Sequence, residues 1–255
     1  MQKFDVNQIK EDDIQDGKML LVDKPLTWTS FDVVKYIRKS LVSKFKIKRI
    51  KVGHAGTLDP LATGLLIICI GKQTKQISIY QNLSKTYTGK FKLGETTPSY
   101  DAETEVNKSF NYDHIKEKDI INLSQKFTGK LMQKPPIFSA LKKNGKRMYE
   151  YARENKKIEI QEREINIYEF EIIKFTDPYI EFKITCSKGT YIRVLAEDIA
   201  NKAGSLGTLA NLRRIKSAGY NIGDSLDLDS LDKDNFRDKI IAPGDALNSL
   251  DDIQC

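Results

Sequence analysis

The sequence has little of what metal and thiol sites require. Three of its 255 residues are cysteine and two are histidine, and they show neither CxxC spacing nor the His/Cys spacing of a metal site. Cys69 and Cys186 fall inside apolar stretches. We therefore expect reduced, buried thiols and no bound metal.

Long apolar runs are also absent. No segment reaches the length that a membrane-spanning helix needs. The first 18 residues are polar and acidic, unlike a secretory signal peptide. These absences predict a cytoplasmic protein that has no membrane partner.

Nucleotide-binding motifs are missing as well. The sequence contains no GxGxxG, and the weak P-loop resemblance of Gly64 and Gly71-Lys72 fails on two counts. Six residues separate the two glycines where the motif has four, and position 73 is glutamine where the motif has serine or threonine. We expect no cofactor.

Charge is distributed unevenly along the chain. The net charge is +7, but residues 224–255 hold nine aspartates against three lysines or arginines, which leaves +13 for residues 1–223. Between Val33 and Leu58 there is no acid, and eight basic residues cluster there, among them Lys46, Lys48 and Arg49. Such a cluster suits contact with RNA phosphates, and it equally suits a solvated basic face. Charge alone does not decide between them.

Apolar patterning indicates the class of fold. Ser30 is the expected N-cap of a helix from Phe31, and the glycine-rich residues 53–64 are expected to form a loop outside regular structure. Residues 94–108 are polar and long enough for a mobile functional loop. Strands and helices do not alternate regularly, so we predict an α+β fold with a mixed, mainly antiparallel central sheet flanked by helices and loops. The predicted strands are 18–23, 65–70, 85–93, 165–175 and 179–186, and a further helix is predicted at 191–203.

Asp59 is the only acid between Asp32 and Glu95, and it lies within the glycine-rich loop. Asp followed by Pro is an ordinary turn signal, so the local pattern favours a turn over a catalytic role. An isolated carboxylate among basic and apolar residues is nevertheless a candidate nucleophile.

The stretch GHAGTLDPLATGLL (53–66) resembles the catalytic motif of the TruB family of tRNA pseudouridine synthases. Further stretches resemble that family in the same order along the chain, over roughly residues 18–245. They are LLVDKPLTWTSFDVV (20–34), KTYTGKFKLG (85–94), TTPSYDAE (96–103), QKPPIFSALKKNGKRMYEYAR (133–153), CSKGTYIRVLAEDI (186–199) and LANLRR (209–214).

This resemblance implies the pseudouridine synthase fold and a cofactor-free isomerisation of uridine 55 in the T-loop of tRNA. Asp59 would be the catalytic aspartate. The N1–C1′ bond breaks, uracil rotates, and C5 is joined to C1′. Attack on the base, attack on the sugar and removal of a sugar proton all stay open as the role of Asp59.

The resemblance also assigns roles to other residues. Arg193 would pair with Asp59, and Tyr87 would stack on the flipped uracil and is a candidate for moving the C5 proton. The substrate-binding residues would be Tyr87, Tyr191 beside the base, Leu212 as an apolar wall, His54 in displacing the nucleotide, and Lys24 as support near the site. From pattern alone, the tyrosines would be core or strand residues and Arg193 a surface arginine.

The expected domain organisation is a catalytic domain over 1–245, which begins with the polar segment 1–17, and a tail at 246–255. A complete PUA domain is not expected, because the 32 residues after Gly223 are too few and too acidic. We expect a monomer that binds the T stem-loop of tRNA without an obligatory protein partner. Two alternatives are a guide-RNA-dependent synthase and a catalytically silent RNA-binding protein or tRNA chaperone.

Overall fold

The computed structural model describes residues 14–154, 156 and 158–228. Most of the polar N-terminal segment, the acidic residues from 229 onward, the tail at 246–255 and Cys255 lie outside this range. The strands are β1 (Lys18–Lys24), β2 (Val52–His54), β3 (Ala62–Ile70), β4 (Lys85–Leu93), β5 (Glu95–Thr96), β6 (Lys108–Ser109), β7 (Gly129–Gln133), β8 (Lys142–Lys143), β9 (Lys146–Arg147), β10 (Arg163–Thr176), β11 (Tyr179–Cys186), β12 (Gly207–Ser217), β13 (Tyr220–Asn221) and β14 (Leu226–Asp227). The α-helices are α1 (Ser30–Phe45), α2 (Ile77–Asn82), α3 (Glu117–Lys126), α4 (Met148–Arg153) and α5 (Ile192–Lys202), and 3-10 turns occupy Gly71–Gln76 and Ile222–Asp224.

The described residues fall into two compact units. The first unit holds the residues up to Thr86 and those from Arg213 onward, and the second holds Tyr87–Leu212. Strands β4 and β12 therefore each have residues in both units.

The first unit is built on a strand order of β14, β1, β3 and β12, with β2 beside β3 and β13 beside β12. β1 runs parallel to β14 and antiparallel to β3. β3 contains the predicted strand 65–70, and its apolar residues are buried on both faces of the sheet. On one face Leu66 and Ile68 pack with Val33 and Ile37 of α1.

The N-terminus of α1 lies one residue earlier than predicted. The N-cap is Thr29, whose hydroxyl accepts from the backbone N–H of Asp32 while the Asp32 carboxylate accepts from the backbone N–H of Thr29. Ser30, the predicted N-cap, is instead the first helical residue. The Ser30 hydroxyl, which we expected to cap the helix, instead forms hydrogen bonds with the backbone of Leu58, 28 residues away.

The glycine-rich stretch is shorter as a loop than predicted, because Gly53 lies in β2 and Gly64 in β3. Gly64 has φ +105°, and a Cβ there would lie 2.3 Å from the carbonyl oxygen of Arg214. The backbone of Arg214 leaves no room for a side chain here, so this strand position requires glycine.

In the second unit the strand order is β12, β4, β11, β10 and β7. β10 is antiparallel to both β11 and β7. The core of the second unit includes Phe91 of β4, whose ring stacks on that of Phe182 of β11 with the centroids 4.1 Å apart. The prediction of an α+β fold with a mixed, mainly antiparallel sheet flanked by helices is confirmed.

Residues 94–108 carry more structure than their polar, aperiodic sequence suggests. The segment begins and ends in the short antiparallel strands β5 and β6, with Thr96 opposite Lys108. Between them, Thr97, Ser99 and Asp101 are buried. This stretch is therefore packed against its own unit.

Candidate active site

In the first unit, the backbone on both sides of Asp59 is tied to the turn before α1. The Ser30 hydroxyl donates to the carbonyl of Leu58 (3.1 Å) and accepts from its N–H (2.9 Å). The N–H of Thr27 donates to the carbonyl of Pro60 (2.9 Å). These bonds fix the backbone on both sides of Asp59, a residue that is itself partly exposed.

Lys24, at the end of β1, is completely buried. Its amino group donates to the carbonyls of Pro25 (2.9 Å), Trp28 (2.6 Å) and Pro60 (3.3 Å). Burial lowers the pKa of Lys24 to about 8, and the charge of Asp59 opposes that shift. A group so enclosed fits the supporting role that the sequence resemblance implies.

His54 ends β2, opposite Ile68 of β3, and is partly buried. Its pKa is lowered, first by burial and then by the charge of Arg214, while a backbone hydrogen bond with Gly56 acts in the other direction. A lowered pKa favours the neutral imidazole at neutral pH.

In the second unit, Arg193 is the second residue of α5 and is 3% exposed, so the expectation of a surface arginine from the local pattern is wrong. Its guanidinium donates to the carbonyls of Ser99 (3.1 Å) and Phe138 (2.6 Å). The Nε atom lies 3.8 Å from a carboxylate oxygen of Asp101. These partners fix the orientation of the guanidinium plane.

The two tyrosines of the predicted site also lie in this unit. Tyr87, in β4, is 9% exposed. Tyr191 precedes α5, and the Gln133 side chain holds its backbone through bonds of 2.8 Å to the N–H and 3.1 Å to the carbonyl. The Tyr191 ring centroid lies 5.7 Å from the Arg193 guanidinium, close enough for a cation–π contact.

The remaining predicted residues are partly or fully exposed. Leu212 in β12 is partly buried. Lys46, Lys48 and Arg49 are exposed. The apolar residues next to them, Ile47 and Ile50, are the ones that are buried.

The predicted site residues are thus divided between the units. Lys24, His54 and Asp59 belong to the first unit. The residues of the second unit are Tyr87, Tyr191, Arg193 and Leu212. The pairing of Arg193 with Asp59 stays a prediction.

Sequence reasoning missed Asp101, the carboxylate beside Arg193. Asp101 is 5% exposed, and one of its carboxylate oxygens accepts from the N–H of Glu103 (3.0 Å). The usable signal is its place in TTPSYDAE, where two acids follow four hydroxyl-bearing residues. Its partner lies 92 residues away, so local pattern could not supply the pairing.

The predicted burial of Cys69 and Cys186 is confirmed. Burial raises the pKa of Cys69 to about 12, which makes it a poor nucleophile. Within the described ranges no cluster of His, Cys, Asp or Glu is arranged to hold a metal ion. In the same part of the chain no helix is both long and apolar enough to cross a membrane.

A comparison with protein families defines the class of this site. Residues 42–192 match the model of the TruB family pseudouridylate synthases, N-terminal domain. The chain belongs to the TruB family, whose members are pseudouridine-forming isomerases.

Similar proteins agree with that assignment. The chain is 50% identical to the tRNA pseudouridine synthase B of Flavobacterium johnsoniae over 214 residues, which are 84% of this chain and 93% of that protein. It is 43% identical to the tRNA pseudouridine synthase B of Clostridium tetani over 233 residues, which are 91% of this chain and 78% of that protein.

Among solved structures, the chain resembles a crystal structure of a Cbf5–Nop10–Gar1 complex with a TM-score of 0.67 and 25% identity. The match covers 89% of this chain but only 60% of that one. A structure of an H/ACA ribonucleoprotein bound to a substrate RNA is similar in fold, with a TM-score of 0.67 and 21% identity.

Proposed function

We propose that this protein converts uridine 55 in the T-loop of tRNA to pseudouridine, with Asp59 as the catalytic aspartate. The observation that carries the proposal is the Asp59 loop. Hydrogen bonds hold the residues on either side of Asp59, which is itself partly exposed. The names of the similar proteins from Flavobacterium johnsoniae and Clostridium tetani supply the substrate, tRNA.

The proposed reaction is an isomerisation in which no atom is gained or lost. The N1–C1′ bond breaks and a C5–C1′ bond forms. C5 loses its proton and N1 gains one. A carboxylate suits this sequence because it can attack and leave again. The charge of Asp59 acts to raise the pKa of the buried Lys24, which places a cationic group close to the proposed nucleophile.

The other roles follow the family resemblance. We propose that Arg193 orients Asp59 and that Tyr87 stacks on the extruded uracil, with Tyr191 and Leu212 beside the base. His54 would help displace the nucleotide. Extruding a stacked base costs a few kcal/mol, which contacts to the base and the RNA backbone must offset.

The proposed partner is the T stem-loop. The exposed Lys46, Lys48 and Arg49 would contact its phosphates, and the protein would act in the cytoplasm as a monomer without a cofactor or an obligatory protein partner. Reversing these three charges to glutamate should weaken binding to all tRNAs and flatten its dependence on salt. Unchanged salt dependence would assign them to a solvated face.

The test uses the purified protein, an unmodified tRNA transcript labelled with tritium at uracil C5, and no other component. We expect tritium release at one equivalent per tRNA and pseudouridine at position 55. A transcript with cytidine at position 55 is the matched control and should release nothing above background.

Inactivity on bare tRNA would contradict the proposal. Activity restored by a guide RNA with partner proteins would instead favour the guide-dependent alternative; the Cbf5 structure in the comparison is likewise a complex with other proteins. Tight tRNA binding without any tritium release would favour the binding-protein alternative.

A further inference from the structure

Arg214 of β12 is buried, at 1% exposure, and its side chain is bonded to both flanks of the Asp59 loop. Its Nε donates to the carbonyl of Leu65 in β3 (2.7 Å), and one terminal nitrogen donates to the carbonyl of Gly56 (3.1 Å). Gly56 precedes Asp59 by three residues and Leu65 follows it by six. One guanidinium therefore joins the two ends of the loop.

Two glycines make this arrangement possible. Gly64 has φ +105°, and a Cβ there would lie 2.3 Å from the carbonyl oxygen and 2.7 Å from the nitrogen of Arg214. Gly56 has φ +118°, and a Cβ there would lie 3.5 Å from a terminal nitrogen of the guanidinium. The loop backbone is thus packed onto both the main chain and the side chain of Arg214.

We propose that Arg214 is a positioning residue, which fixes the Asp59 loop through Gly56 and Leu65 and presents the buried positive charge that faces His54. This inference rests on the proposed function for its catalytic consequence. It assigns Arg214 no contact with the substrate.

The charges around His54 support this role. His54 lies two residues before Gly56, and the charge of Arg214 follows burial as a cause of its lowered pKa. Arg38 of α1, which packs against β2, donates to the carbonyl of Val52 (3.1 Å). Lys85 of β4, which lies close to Gly56, donates to the carbonyls of Tyr80, Gln81 and Leu83. These two cations are engaged with backbone carbonyls.

A neutral His54 has a functional consequence. An uncharged imidazole can insert between stacked bases at a lower desolvation cost than an imidazolium. It also lacks the charge that would attract it to a phosphate. We expect Arg214 to support the displacement of the nucleotide by this route, in addition to holding Asp59 in place.

The first experiment follows the two histidines of the chain by NMR titration of the full protein without RNA, with His114→Gln used to assign the His54 signal. In the wild-type protein His54 should titrate below 6.5, its ordinary value. Arg214→Lys should keep that pKa low, because the charge remains, whereas Arg214→Met should raise it. An ordinary His54 pKa in the wild-type protein would overturn the electrostatic role of Arg214, even if the Met variant failed to fold.

The second experiment measures single-turnover pseudouridine formation and tRNA binding for the same variants, with thermal melting to identify those that fold. Loss of a loop contact should lower the rate about 10- to 100-fold in Arg214→Met with little change in tRNA affinity, and less in Arg214→Lys. A folded Met variant with a normal rate would overturn the positioning role. If the wild-type protein were inactive on tRNA while His54 titrated as expected, the proposed function would fall and the electrostatic role of Arg214 would stand.

Discussion

Two loops of this molecule hold buried polar groups by different means. The glycine-rich loop of the first unit, residues 55–61 between β2 and β3, is held by long cationic side chains. Lys24 and Arg214 reach it from strands β1 and β12 and donate to its backbone carbonyls or to those beside it. Both cations are at most 1% exposed. The stability of this loop therefore depends on side chains outside it, including that of Ser30, whose hydroxyl bonds to Leu58.

The polar loop of the second unit, residues 94–108, is held largely by its own short side chains. The Thr97 hydroxyl donates to the carbonyl of Asp101 (2.6 Å), and the Ser99 and Thr104 hydroxyls lie 2.8 Å apart. From outside the loop, Arg193 donates to the Ser99 carbonyl and lies beside Asp101, and the N–H of Leu209 donates to the carbonyl of Tyr100 (2.9 Å). Because several local hydrogen bonds stabilise this loop together, removing any one should lower the free energy of unfolding less than removing a contact of the glycine-rich loop.

The largest effect should come from filling the close approach at Gly64. Gly64→Ala places a methyl group against the Arg214 backbone and should destabilise the protein by at least about 3 kcal/mol. Gly129→Ala is the matched control, since Gly129 has a similar φ of +100° but nothing within 4 Å of the new Cβ. It should cost only about 1–2 kcal/mol of backbone strain. Equal losses in urea unfolding would show that strain, and not the close approach, explains Gly64.

A pair of buried serines tests the comparison between the loops directly. Ser30→Ala leaves both the N–H and the carbonyl of Leu58 without their side-chain partner, and should cost about 2 kcal/mol. Ser99→Ala should cost about 1 kcal/mol, because the hydroxyl of Thr97 still donates to the Asp101 carbonyl. Urea unfolding of both variants measures the difference. A larger loss for Ser99 would reverse the comparison.

The smallest effect concerns pH. Burial, and then the charges of Glu197 and Glu162, raise the pKa of Asp198 in α5 to about 6 from an ordinary 3.8. The folded state therefore binds the proton more tightly, and this stability is lost as the pH rises from about 4 through 6. Asp198→Asn should stabilise the protein by about 1 kcal/mol at pH 7.5, after allowance for solvent at this partly exposed group, and by little near pH 4.

The first unit should respond to pH in the opposite direction. The folded-state pKa of His54 is lowered, so the unfolded chain takes up its proton first and stability is lost as the pH falls below 6.5. His54→Gln should weaken the dependence of the unfolding midpoint on pH between 5 and 7, as Asp198→Asn should between 4 and 6. A gain for Asp198→Asn that is the same at pH 4 and pH 7.5 would show that the Asp198 charge does not cause it.

The sequence predicted the features that local pattern encodes. The helix predicted from Phe31 and the strand predicted at 65–70 are both present, and the apolar residues Val33, Ile37 and Leu41 of the helix are buried. An isolated acid among glycines indicated Asp59 as a candidate nucleophile, and the family resemblance then implied that it is the catalytic aspartate.

The rest depends on contacts between distant parts of the chain. Arg213 and Arg214 are adjacent arginines, yet Arg214 is 1% exposed while the Arg213 side chain is 42% exposed, and nothing in LANLRR distinguishes them. The Ser30 hydroxyl likewise serves a residue 28 positions away and not its own helix. Order within the sheet and the burial of Arg193 are non-local in the same sense.

The central claim is that Asp59 performs the chemistry, and single-turnover tritium release by Asp59→Asn tests it most directly. The asparagine keeps the size of the side chain but loses the charge and the nucleophilic oxygen, so the rate should fall on the order of 10⁴-fold or more. Binding to tRNA and thermal stability should stay close to wild type, because phosphate contacts carry most of the affinity. Asp16→Asn, which changes an exposed aspartate paired with Lys72, is the matched control and should remain fully active. A folded Asp59→Asn protein that forms pseudouridine at a near-normal rate would contradict the account.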